Sequence, residues 1–176
     1  MKKYETISSD LKFRNPYWEY KVDRYVLPGG NIGEYHYVNS RGAGIIIPRL
    51  SDNTFVMVRQ YRYLNNKVSI EFPGGGVPEG LSAIENAKKE LIEEAGLEAG
   101  HIKAIGEYNP YNGVTNEICT VFLAEDLQKT EANPDETEEF EILTLSGKEI
   151  NNKIINKEIW DGMSIAAWAF FHFSRI

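Results

Sequence analysis

The stretch that most limits the possible folds runs from Glu71 to Leu97, EFPGGGVPEGLSAIENAKKELIEEAGL. A strand-like SIEF segment meets three consecutive glycines, Gly74 to Gly76, then a short turn, Val77-Pro78-Glu79-Gly80. Ser82 and Glu85 have the S-x-x-E spacing of a capping box, and Gly96 is placed to close a helix as its C′ residue. At about 100° per residue, Ile84, Ala87, Leu91 and Ala95 make one apolar stripe for a core. Glu90 and Glu94 lie together at the edge of that stripe, with Glu93 beside them and Lys89 able to pair with Glu85 or Glu93. Carboxylates crowded on one surface repel one another. Hard divalent cations prefer oxygen ligands, so this helix suits Mg2+ or Mn2+ held against something that the glycines approach.

The rest of the chain must supply a core for that helix. The 176 residues suffice for one domain with an extension, and 42% hydrophobic against 26% charged residues marks a globular chain. A net charge of −7 argues against a nucleic-acid backbone as the main partner, so an anionic substrate needs local basic groups or a bridging metal. The first ten residues, MKKYETISSD, contain no apolar signal segment, and no run reaches the roughly 18 apolar residues of a membrane-spanning helix. The single cysteine, Cys119, lies in the apolar run ICTVFLA and reads as a buried thiol in a reducing, cytoplasmic setting. The histidines at 36, 101 and 172 are scattered, which leaves no zinc-binding spacing.

In chain order, residues 4 to 16 read as an extended or turning approach ending at Asn15-Pro16. Tyr17 to Leu27 and Glu34 to Val38 flank the turn Pro28-Gly29-Gly30-Asn31 and form an antiparallel hairpin. AGIIIP (Ala43 to Pro48), TFVMVRQY (Thr54 to Tyr61) and Ser69 to Phe72 read as strands, as do Ile102 to Tyr108 and Ile118 to Ala124. Glu125 to Glu141 is acidic, holds Pro134 and reads as an exposed loop. Phe140 to Leu145 is a strand, Ser146-x-x-Glu149 opens a helix to about Ile155, and Ser164 to Phe173 is a last helix after a break at Asp161-Gly162. This order indicates an α+β sandwich, with residues 1–40 as a β extension and 41–176 as the main domain.

Residues 75 to 97 resemble the Nudix box, G-x5-E-x7-R-E-U-x-E-E-x-G-U, where U is a bulky aliphatic. Gly75, Glu90, Leu91, Glu93, Glu94, Gly96 and Leu97 fall at the required spacing, whereas Leu81 replaces the first glutamate and Lys89 the arginine. Leu81 reads as an added core contact at the start of the helix. Lys89 keeps the charge of the arginine but not its planar fork. The flanks are similar to one branch of the family, the ADP-ribose pyrophosphatases and related nucleoside diphosphate sugar hydrolases. VRQYRY resembles the strand whose second arginine, here Arg62, contacts substrate phosphate. NPYNGVTNE resembles the branch's loop ending in an acidic residue, matching Pro110, Gly113 and Glu117, with Asn112 where that loop usually has proline. DETEEFEIL resembles the acidic loop whose glutamate assists catalysis, with Glu136 and Glu138 as candidates.

The resemblance implies a Nudix-type α/β/α sandwich with a mixed sheet, preceded by the hairpin, and a homodimer formed through it. It implies hydrolysis of a nucleoside diphosphate sugar, ADP-ribose to AMP and ribose 5-phosphate in the leading case. Mg2+ or Mn2+ would be held by the carbonyl of Gly74 and by Glu90 and Glu94, with Glu93, Glu136 or Glu138 as the base. Arg62 and Arg59 would bind phosphate, Gly75 and Glu117 would line the substrate site, and Tyr17, Trp18 and Tyr35 could stack a base. For Arg59 a surface ion pair is the competing reading, and for each aromatic it is packing. Two functional alternatives stay open: a GDP-mannose or other nucleotide-sugar hydrolase, suggested by Asn112, and a non-catalytic nucleotide-sugar-binding protein, suggested by Leu81 and Lys89.

Overall fold

The computed structural model describes residues 3–131 and 140–174. Along them run β1 (Thr6–Arg14), β2 (Glu19–Val26), β3 (Ile32–Asn39), β4 (Ala43–Pro48), β5 (Thr54–Arg62), β6 (Lys67–Glu71) and β7 (Gly74–Gly76). Then follow α1 (Ala83–Ala95), β8 (Leu97–Tyr108), β9 (Cys119–Lys129), β10 (Glu141–Ser146), α2 (Gly147–Ile155) and α3 (Gly162–Phe173).

All six residues of β4 are buried, as a strand covered on both faces must be. Successive side chains of a strand point to opposite faces, and the two apolar clusters follow that alternation. Ile45 and Ile47 of β4, Phe55 and Met57 of β5, and Val121 and Leu123 of β9 join Ile150 of α2 and Ala167 and Trp168 of α3. Ile46, Val56, Phe122 and Ala124, from the same strands, join Ala87, Leu91 and Ala95 of α1. Helices therefore cover both sides of the strands, and the α/β/α sandwich inferred from the sequence is present. The strand order β7-β4-β9-β8 is mixed, because β4 and β9 run parallel while the other pairs are antiparallel. A second sheet, β10-β5-β6, is antiparallel. Cys119 lies wholly inside, and burial pushes its thiol up to about 11, so it stays a neutral core side chain near pH 7.

The N-terminal sheet has the order β1-β2-β3, antiparallel throughout. Its hairpin, β2 and β3, turns through Gly30 at φ 87, a left-handed conformation that suits glycine. The segment read as a turning approach is instead the strand β1, paired along β2 with Asp10 opposite Val22. Ile7, Leu11 and Phe13 alternate with polar residues along it, a period-two strand signal, although nearly every β1 residue is exposed. The sheet joins the sandwich through Val38, whose N–H donates to the Val114 carbonyl at 2.9 Å. Asn116 reinforces the junction by donating to Asn39 Oδ1 at 2.8 Å.

Other expectations are also revised. The acidic run does not begin as a loop, because β9 continues to Lys129 opposite Leu97. Asp161-Gly162 is the start of α3 rather than only a break: Asp161 caps it, accepting from Ser164 N–H at 2.7 Å. Both capping boxes, Ser82/Glu85 and Ser146/Glu149, form as read. Ile84 is 37% exposed, so the core stripe of α1 is shorter than its spacing suggested.

Candidate active site

The three glycines form a strand, β7, rather than a loop. It lies antiparallel to β4, with Gly76 opposite Ala43, Gly75 opposite Gly44 and Gly74 opposite Ile45. A Cβ on Gly74 would sit 2.5 Å from the Gly44 carbonyl oxygen, and one on Gly44 would sit 2.9 Å from the Ala83 carbonyl oxygen. A Cβ on Gly75 would collide with the Glu90 carboxylate. The glycines therefore let three backbones and a carboxylate crowd into one place.

One row of α1 residues faces this strand. Asn86, fully buried, donates from Nδ2 to the Gly75 carbonyl at 3.0 Å. Glu90 approaches Gly75, and Glu94, 6% exposed, accepts the Gly74 N–H at 3.1 Å. Residues four apart share a helix face, so 86, 90 and 94 make a continuous polar seam beside the core. Asn86 was not picked out from the sequence, although its i−4 spacing from Glu90 placed it in the same row.

The seam opens into a cleft of about 690 Å³. Of the residues singled out from the sequence, Gly74, Gly75, Glu90, Glu94, Arg62, Glu117, Tyr17 and Trp18 line it. Arg62 donates from Nε to Glu71 Oε1 at 2.8 Å and from Nη2 to Glu71 Oε2. That carboxylate holds the guanidinium firmly charged, its pKa above the usual arginine range. Glu117 accepts from Ser40 Oγ at 2.8 Å. Cleft residues not anticipated are Gln60 and Arg41, and Glu71 stands behind Arg62. Arg41 donates to the carbonyls of Val77 and Pro16 at 3.3 and 3.2 Å, tying the turn after β7 to the chain before β2. No local pattern marks Arg41, whereas a carboxylate at the end of the apolar strand SIEF was a signal that Glu71 had a partner.

Three other candidates lie outside the cleft lining. Arg59 donates to Glu141 Oε2 at 2.7 Å in a half-exposed ion pair and borders a neighbouring cavity. Tyr35 borders a different, tyrosine-rich cavity of about 460 Å³ and donates from its hydroxyl to the Gly113 carbonyl at 3.1 Å. Glu93 is bound by Lys89 on the outer side of the helix. Leu81 is 38% exposed and is not the core contact inferred for it, because the turn before Ser82 carries it to the surface. Glu136 and Glu138 lie outside the described residues.

Oxygen donors dominate the seam, which suits a hard cation. Among the described residues no group of three or more His, Cys, Asp or Glu side chains is arranged to hold a metal ion alone. Mg2+ typically uses one or two carboxylates and takes its other ligands from water and substrate phosphate, and two carboxylates beside a glycine strand fit that habit.

A NUDIX domain profile matches residues 38–159, and the chain belongs to the Nudix family. It is 30% identical over 165 residues to the methanol dehydrogenase activator of Bacillus methanolicus, covering 93% of this chain and 89% of that protein. It is 27% identical, with the same coverage, to the ADP-ribose pyrophosphatase of Bacillus subtilis (strain 168). A solved structure titled as that of an ADP compounds hydrolase superposes with a TM-score of 0.83 over 98% of this chain and 94% of that one; at 15% identity it shows the fold alone. The matches bear out the assignment to Nudix pyrophosphohydrolases of the ADP-ribose pyrophosphatase branch. No helix among the described residues is long and apolar enough to cross a membrane.

Proposed function

We propose that this chain hydrolyses the pyrophosphate linkage of a nucleoside diphosphate sugar, with ADP-ribose cleaved to AMP and ribose 5-phosphate as the leading case. The supporting observation is the convergence of Glu90, Glu94, the glycine strand and the fork-held Arg62 on one cleft that Tyr17 and Trp18 also line. Glu90, Glu94 and the Gly74 carbonyl are the proposed holders of Mg2+ or Mn2+. When bound, the ion would neutralise pyrophosphate charge and lower the pKa of a water molecule.

The chain's own groups do the rest. Arg62 offers positive charge, held in one orientation by Glu71, to the phosphates. Tyr17, 81% exposed, and Trp18, whose ring packs against Phe13 at 5.7 Å between centroids, line the cleft and are the proposed partners of a base. The proton of the attacking water goes to a glutamate: Glu93 once freed from Lys89, or Glu136 or Glu138. The proposal keeps residues 1–40 as an extension and 41–176 as the catalytic domain. It also includes a homodimer that covers the apolar side chains exposed on the N-terminal sheet, and a purely monomeric sedimentation profile at micromolar protein would remove that part.

A hydrolysis panel with Mg2+ over ADP-ribose, GDP-mannose, UDP-glucose and dinucleoside polyphosphates tests the reaction. Turnover of ADP-ribose above the others is the expected result. GDP-mannose as best substrate would reassign the sugar, and no turnover with a ligand-raised melting temperature would make the chain a binding protein.

A further inference from the structure

Glu71 ends β6 and is 5% exposed, an unusual place for a carboxylate. Its register partner across the sheet is Val58, whereas Arg62 stands opposite Lys67. Arg62 therefore lies back along the strand pair to reach Glu71, where its Nε and Nη2 donate to the two carboxylate oxygens. Gln60 Nε2 adds a longer contact of 3.4 Å to Oε2. The burial of the pair is one-sided: the Glu71 side chain is 6% exposed and that of Arg62 is 45% exposed. The anion is sunk in the sheet and the cation stands in the wall of the cleft.

A guanidinium carries five N–H donors in one rigid plane. Glu71 occupies the edge made by Nε and Nη2, which fixes the plane and leaves the Nη1 donors and the outer Nη2 donor for another acceptor. Buried ion pairs are poor stabilisers compared with apolar residues of similar size, so stability is a weak reason for this one. We infer that Glu71 is a positioning residue: it anchors one edge of Arg62 so that the other edge meets substrate phosphate already oriented. This rests on the phosphate-binding reading of the cleft. Lysine cannot replace Arg62 in this arrangement, because an ammonium has no second edge to present while the first is anchored.

The test is a double-mutant cycle read by calorimetric binding of inorganic pyrophosphate in Mg2+, using wild type, Glu71→Gln, Arg62→Ala and the pair together. Each single variant should weaken binding about tenfold, and the double variant should lose no more than either alone, because residues acting as one unit are not additive. Wild-type binding by Glu71→Gln, or losses that multiply in the double variant, would overturn the inference. If Glu71→Gln does not fold, Arg62→Lys decides: loss of affinity comparable to Arg62→Ala supports an anchored fork, and near-normal affinity overturns it. Failure of wild type to bind pyrophosphate would overturn both this inference and the phosphate reading. A coupled cycle in a protein that cleaves no nucleotide sugar would overturn only the hydrolase.

Discussion

The block formed by β4, β7 and α1 and the sheet formed by β1, β2 and β3 are held together in opposite ways. In the first, all six β4 residues are buried, and three side chains of one helix row meet two consecutive glycines. In the second, Val22 is the buried apolar residue, while Ile7, Leu11 and Phe13 of β1 are each about half exposed. Three strands without a covered apolar face rely on main-chain pairing and on their junction with the 109–117 loop. The contrast teaches that precision at the cleft comes from crowding around β7, whereas the N-terminal sheet contributes the rim and an uncovered surface.

The sharpest way to break that comparison is at the polar seam. Glu90→Gln and Glu94→Gln should each lower kcat by about 10³-fold with little change in melting temperature, since each would remove a carboxylate proposed to hold the cation that neutralises phosphate charge. Near-normal steady-state rates in both would strip the seam of its catalytic meaning. Next in size is the core. Ile46→Ala, at a site with no exposure, should cost about 2–5 kcal/mol in urea unfolding. Leu11→Ala in β1 should stay within about 0.5 kcal/mol for the isolated chain. Equal costs at the two positions would erase the difference between the regions.

A smaller effect falls at the start of α1. Ser82→Ala should remove about 1 kcal/mol by breaking the capping box, measured by thermal denaturation. Hydrogen bonds from Ser82 hold the Glu85 carboxyl below its usual 4.5. A depressed folded pKa means the box contributes fully above the unfolded value and fades as pH falls through the folded one. The Ser82→Ala penalty should therefore shrink in acid, and a penalty that grew there would contradict the assignment. As small as the Leu11→Ala effect, Lys89→Ala should change stability by less than about 0.5 kcal/mol, because its i,i+4 pair with Glu93 is partly exposed. If Glu93 serves as base, that substitution frees it, and the pH–rate profile rather than stability should respond.

What could be read from the sequence follows from the same contrast. The helix α1, both capping boxes and the core strands are written in local spacing, so the sandwich and the Glu90–Glu94 pair were visible in advance. The strand β1 was marked more weakly, because Ile7, Leu11 and Phe13 alternate with polar residues in TISSDLKFR but Ser9 interrupts them and neither face is buried. Arg59 and Arg62, three residues apart on one strand, fall on opposite faces by strand alternation, whereas their partners Glu141 and Glu71 are set by the fold. Leu81 looked like core by chemistry, but the turn before α1 decides its exposure. Tyr35 was grouped with Tyr17 and Trp18 as an aromatic of the hairpin, on the family resemblance, although the sheet turns it toward another cavity.

On this reading, the seam of α1 facing β7 is a centre for pyrophosphate cleavage. The most direct measurement follows ADP-ribose and its products by phosphorus NMR with wild type and Glu90→Gln at the same Mg2+ concentration. AMP and ribose 5-phosphate should form with wild type, and ADP-ribose should stay intact over the same interval with the variant. Equal product from both proteins, or an unchanged spectrum with wild type, would contradict it.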